Sequence, residues 1–225
     1  MRSKKSGILA IAIATVLSFG TFCQVSYGEA QPASKATANV GDIHIIDATN
    51  LGWTTILQQS LHTANQKSLF VDVSLECGLY TDTLVKSKGD TSDTSSASAT
   101  IEVKVLIDGN EAHPGVVTFA NREQTLTAKL QGMLTSDCLT DGVLNITDDC
   151  LLYEEIQLLL KTMNANSFNF VTDTMDAGNH VIEVQARIST DASYQNGNAA
   201  AMATIGKGSV AIEEVRLIKG EDIEI

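Results

Sequence analysis

Apolar and polar residues alternate with a period of two through much of the chain, most clearly from Gly178 to Ser189. His180, Ile182, Val184, Ala186 and Ile188 fall on one face, and Val181, Glu183, Gln185 and Arg187 on the other. A period of two over this length predicts a β-strand with one face on a core and one in water. Leu69 to Glu76 repeats the pattern, with Leu69, Val71, Val73 and Leu75 opposite Phe70, Asp72, Ser74 and Glu76. Ile101, Val103, Val105 and Ile107 mark a third strand, closed by the turn signal Asp108-Gly109. Leu126, Ala128 and Leu130 form the inner face of a fourth over 123–131, and Phe168 and Phe170 share a face of a fifth over 166–172. A short strand is expected over 42–48.

Residues 53–63 are ambiguous. Trp53, Ile56, Leu57 and Leu61 fit a helix stripe, but the threonines and the neighbouring strands favour extended chain. Near the C-terminus, Gly206-Lys207-Gly208 reads as a turn into a last strand. Val210 and Ile212 lie in one phase there and Val215 and Leu217 in the other, so the slip at Glu213-Glu214 predicts a β-bulge.

Two stretches break the alternation. Residues 84–99 run into Ser, Thr and Asp and read as a surface loop. Leu152, Ile156, Leu159, Leu160 and Met163 recur at helical spacing, after Thr147, Asp148 and Asp149 as candidate caps. The expected architecture is therefore all-β: a jelly-roll-like antiparallel β-sandwich with one amphipathic helix (about 151–163).

The N-terminal charge pattern changes the boundaries. Arg2, Lys4 and Lys5 precede an uncharged apolar run over 8–22, and Ser26 and Gly28 supply the small residues of a cleavage site. This predicts a cleaved signal peptide over 1–28, since the apolar run is shorter than the ~20 residues of a spanning helix. A flexible linker over 29–40 and a single sandwich domain over 41–225 follow. The expected destination is outside the cytoplasm (periplasm, cell surface or medium), with no stable membrane insertion after cleavage. Beyond residue 28 the chain carries 12 Lys+Arg against 27 Asp+Glu, a formal −15. That balance argues against nucleic acid and against anionic lipid, both of which need clustered positive charge.

Export permits disulfides. Cys138 and Cys150 bracket a short loop and are the favoured pair. Pairing of Cys77 with either stays open on sequence alone. The same loop gathers Asp137, Asp141, Asp148 and Asp149, a candidate calcium site because calcium takes several hard oxygens on a flexible loop. The competing explanation is a disulfide-ordered loop with helix-capping aspartates and no cofactor.

Trp53, Tyr80 and Tyr153 are the candidate platforms for stacking a sugar. None of the four histidines sits in a His-x-His or His-x-x-x-His pair, and no Gly-x-Ser-x-Gly elbow or phosphate loop is present. The catalytic set is therefore empty. The leading expectation is an exported, non-enzymatic structural or adhesive module that self-assembles through open sheet edges. The alternatives are a calcium-assisted carbohydrate-binding module and a secreted hydrolase. The expected partner is a second copy of the chain, or a glycan or protein at the surface.

Overall fold

The computed structural model describes residues 35–41, 52–64 and 66–217, all within one compact unit spanning Ser34–Ile225. The expected signal peptide and the strand expected over 42–48 lie outside the described residues. Eight strands carry the fold: β1 Ala36–Gly41, β2 Thr54–Thr63, β3 Ser68–Ser87, β4 Thr91–Ile107, β5 Val117–Leu130, β6 Glu154–Val171, β7 Gly178–Tyr194 and β8 Asn198–Val215.

They form two antiparallel sheets, ordered β1-β8-β3-β6 and β2-β7-β4-β5, with the two-residue strand Asn110–Glu111 also bonded to β4. The pairs β4–β5, β3–β6, β2–β7 and β1–β8 nest outward from the centre of the chain. That is the connectivity of a jelly roll, a long antiparallel ladder wrapped so that its rungs alternate between two packed sheets.

The alternating residues make the core as expected. On β7, Ile182, Val184, Ala186 and Ile188 are buried, and they pack with Leu69, Val71, Val73 and Leu75 of β3, Ile101, Val103 and Val105 of β4, and Ile205, Val210 and Ile212 of β8. Each of the Val, Leu and Ile side chains among them contributes about 1.5–3 kcal/mol through burial. Residues 53–63, ambiguous in sequence, are extended as β2 because Thr54 to Thr63 pair along β7.

Four expectations need correction. The Ser/Thr/Asp stretch over 84–99 is not a loop. It is the end of β3, a tight turn at Gly89-Asp90, and the first half of β4. The period of two survives there in small polar residues: Asp93, Ser95, Ala97 and Ala99 all point inward and are at most 2% exposed. The core is thus apolar in one half and polar in the other, where Thr81, Thr83 and Gln124 are also buried. Gln124 spans the sandwich, accepting from Thr81 Oγ1 at 2.8 Å and donating to the Leu158 carbonyl at 2.7 Å.

The helix expected over 151–163 is strand. Leu151–Leu152 is a two-residue strand, and β6 runs unbroken from Glu154 to Val171, in register with β3 from Ser87 to Phe70. β6 is an edge strand with apolar residues in both phases: Ile156, Leu158 and Leu160 in one, Leu159 and Met163 in the other. The two phases together mimic an i, i+3, i+4, i+7 stripe, and eighteen paired residues override the helical preference of the leucines.

β8 is one strand, not two. The register shift lies between Ile205 and Gly208, so Gly206-Lys207 is a bulge and not a turn. Glu214 continues the inward phase of Val210 and Ile212 at 5% exposure. Finally, residues 36–40 of the expected linker join Gly41 to form β1, paired with β8 from Gly208 to Glu213.

Candidate interaction surface

The connection between β5 and β6 folds into a small finger. Met133–Leu134 pairs with Leu151–Leu152 at its base, and Leu139–Thr140 pairs with Val143–Leu144 at its tip. Asp141 and Gly142 turn the tip at φ 52° and 77°, the two left-handed residues of a two-residue hairpin, for which Asp-Gly is a preferred pair. Cys138 and Cys150 are disulfide-bonded across the middle, with Cα atoms 5.0 Å apart. Both are buried, at 0% and 2% exposure.

Main-chain bonds complete the brace. Asn145 N–H donates to the Cys138 carbonyl at 2.7 Å, and Thr135 N–H to the Cys150 carbonyl at 3.0 Å. Lys88, at the β3–β4 turn, holds the finger from the side. Its Nζ donates to the Asp148 carbonyl at 2.7 Å and lies 4.9 Å from the Tyr153 ring centroid.

The finger does not bury its apolar side chains. Leu139, Val143, Leu144 and Ile146 are 54–67% exposed around the tip, and Met133, Leu134, Leu152 and Tyr153 are 53–55% exposed at its base. The exposure continues along β6 through Ile156, Leu158, Leu159, Leu160, Met163 and Phe168. Fourteen of the twenty large apolar side chains exposed among the described residues therefore fall between 133 and 168. Single exposed leucines are ordinary, but a concentration of this kind marks an interaction surface. Sequence reasoning misses it, although Leu139, Val143, Leu144 and Ile146 sit inside a Cys-bracketed loop too short to bury them.

The four aspartates sit on this finger. Asp137 lies in the 3-10 turn Ser136–Cys138, Asp141 in the hairpin turn, and Asp148 and Asp149 in the 3-10 turn Asp148–Cys150, which Thr147 caps. All four are exposed. Among the described residues no group of three or more His, Cys, Asp or Glu side chains is placed to hold a metal. The disulfide and the main-chain hydrogen bonds brace the finger around these aspartates.

The three aromatic candidates are dispersed. Tyr80 lies on the outer face of β3, and Tyr153 faces Lys88 at the finger base. The ring of Trp53 lies against two cations, with Lys104 Nζ and Arg187 Cζ each 4.8 Å from its centroid. Cation–π contacts of this kind hold the ring against the outer face of the sheet. Arg187 is held in turn by Glu102, at 2.6 Å and 2.9 Å.

A separate cleft of about 360 Å³ opens at one end of the sandwich, lined by Asp108, Glu111, His113, Asp173, Asp176 and His180 among others. His180 Nδ1 is 2.7 Å from Asp108 Oδ2, and its Nε2 is 3.1 Å from Thr63 Oγ1 and 3.0 Å from the Asp176 carbonyl. A carboxylate, an imidazole and a hydroxyl in this order have the connectivity of a hydrolytic triad. Thr63, however, is 0% exposed and its hydroxyl also bonds the Asp176 carbonyl at 3.0 Å, so no substrate carbonyl can approach it. The arrangement pins the Asp108-Gly109 turn to the start of β7, where Val181 N–H also donates to Asp108 Oδ1 at 2.9 Å.

Burial would raise the Asp108 carboxyl. The His180 hydrogen bond, the Val181 hydrogen bond and the charge of His180 together outweigh it and hold the group below its ordinary value. Cys77 is the free cysteine among the described residues, and burial pushes its thiol up to about 11, so it is unreactive near neutral pH.

No protein-family model matches the chain, and no curated protein does. Among solved structures, a chain of the T13 IBDV viral particle is similar at 10% identity and a TM-score of 0.16, over 81% of this chain and 39% of that one. A chain of the infectious bursal disease virus Gx strain is similar at 7% identity and a TM-score of 0.13, over 81% of this chain and 41% of that one. This chain thus spans about two-fifths of each, and at such scores the likeness carries no argument about function. The jelly-roll assignment rests on strand order alone. Among the described residues no helix is long and apolar enough to cross a membrane.

Proposed function

We propose that the protein is an exported, non-enzymatic structural module that assembles with copies of itself. The observation that carries this reading is the concentration of exposed apolar side chains on the finger and on β6, over residues 133–168. Apolar area of this kind gains free energy only when another surface covers it. The disulfide supports an oxidising destination, and the leader-like N-terminus supports export. The acidic remainder of the surface keeps the module soluble until the apolar face is matched.

Sedimentation velocity across a hundredfold concentration range tests the reading. Assembly should grow with concentration, and Leu139→Asp with Leu144→Asp, or Leu158→Asp alone, should weaken it at least tenfold. A strict monomer at every concentration, from a folded protein, overturns the proposal.

A further inference from the structure

We propose that β6 pairs antiparallel with β6 of a second copy about a two-fold axis at Leu158, joining two four-stranded sheets into one of eight. This rests on the assembling-module reading and names its partner, edge and register. β6 is eighteen residues long and, among the described residues, has β3 as its one partner strand, with a single further bridge from Val171 to His113 at its far end. One rim of backbone N–H and C=O groups therefore lacks a strand partner. Natural edge strands are usually short, or guarded by charges and prolines. β6 carries three charges, Glu154, Glu155 and Lys161, and no proline, and Ile156 to Leu160 is uncharged. The opposite sheet's edge, β5, is shorter at fourteen residues and carries Arg122, Glu123 and Lys129 in its middle and end.

The sequence of β6 selects both partner and register. In an antiparallel pair the inward phases of both strands must lie on one face, so residues of like parity face each other. Under that condition, pairing β6 with itself places Lys161 opposite a carboxylate of β6 in one register only, opposite Glu155. In that register Ile156 faces Leu160, Gln157 faces Leu159, and Leu158 faces its own copy. Ile156, Leu158 and Leu160 are 42%, 40% and 41% exposed in the single chain although they lie in the inward phase. The pairing covers them with their own counterparts.

Like charges stay apart. Glu155 of one copy lies six residues from Glu155 of the other, about 20 Å along the strand. Glu155 already meets Lys86 at 2.6 Å, and both are partly exposed, so it can be shared with a second lysine. The Leu158 carbonyl already accepts from Gln124 Nε2 and, at 3.4 Å, from Thr83 Oγ1. The pairing leaves that carbonyl as it is and draws on the backbone groups of its neighbours, Gln157 and Leu159.

Charge exchange tests the register. Lys161→Glu sets glutamate against Glu155 at two symmetric places, and Glu155→Lys sets lysine against Lys161. Each should raise the dimer dissociation constant at least tenfold in sedimentation equilibrium. The double variant, in which the two charges trade places and face each other again, should return it to within threefold of the wild type. Under mild oxidation Leu158→Cys should give a covalent dimer, while Asn164→Cys should not, because its two copies would lie about 40 Å apart. A protein that assembles but ignores the charge exchange and does not cross-link at 158 overturns this register and leaves the broader reading standing. A protein that never assembles overturns both.

Discussion

Asp93 gives the sharpest test of the polar half of the sandwich. Its carboxyl group is 0% exposed. Oδ2 accepts from Lys86 N–H at 2.6 Å, and Oδ1 accepts from Asn196 N–H at 3.0 Å. One side chain thus ties the β3–β4 hairpin to the β7–β8 turn. Leaving a buried donor without its acceptor costs about 1–3 kcal/mol. Asp93→Ala removes both acceptors and leaves two backbone donors without them, for a cost of about 3–5 kcal/mol. Asp93→Asn keeps one acceptor oxygen and turns an N–H₂ toward the other donor, for about half that cost. In a domain of this size each kcal/mol lowers Tm by roughly 2–4 °C, so the alanine variant should melt about 10 °C lower. Urea denaturation measures the loss, and hydrogen exchange at the Lys86 and Asn196 amides locates it. If the alanine variant unfolds within about 0.5 kcal/mol of wild type, or these two amides already exchange freely in wild type, the polar half is not the ordered core described above.

The Asp108 carboxyl supplies a pH dependence. A carboxyl held low in the folded state stabilises above its unfolded value of ~4, and that stabilisation is lost as pH falls through the folded value. Asp108→Asn should therefore flatten the acid limb of the stability curve below pH ~4 and cost about 1 kcal/mol near neutrality, discounted for the partial exposure of the group. An unchanged acid limb in pH-dependent urea melts would refute the assignment. In the finger, the disulfide closes a loop across a separation of 12 residues, worth about 3 kcal/mol by loop entropy. The Cys138→Ser, Cys150→Ser double variant should lose amide protection over 135–150 while β3 and β7 keep theirs. Equal loss in all three would mean that the finger is integral to the core.

The apolar half of the fold is legible in the sequence because its signal is local. Ile182 to Ile188 on β7 and Leu69 to Leu75 on β3 alternate cleanly, and both stretches are buried as their spacing predicts. The polar half is hidden because burial there is satisfied by partners distant in sequence. Asp93 is matched by Asn196 and Gln124 by Thr81, so composition alone reads as loop. β6 misleads for a related reason. An edge strand covered on neither side of its first half has no period of two to display, and its leucines fall at helical spacing. The register of β8 shows the same limit, since Val210 and Ile212 keep one phase through Glu214 only because the bulge lies earlier, at Gly206-Lys207. In the candidate surface, spacing favours the Cys138–Cys150 pair but leaves Cys77 as an alternative partner until the structure joins the two, while the apolar character of the finger is masked by its acidic neighbours.

Hydrogen exchange of residues 154–163 at low and high protein concentration decides whether β6 is an open edge or a paired strand. Edge pairing places the free rim of β6 inside a sheet, so its amides should slow at least tenfold as concentration rises, while those of β5 do not change. Exchange in 154–163 that is equally fast at every concentration, in samples that sedimentation shows to be associated, would contradict assembly through β6.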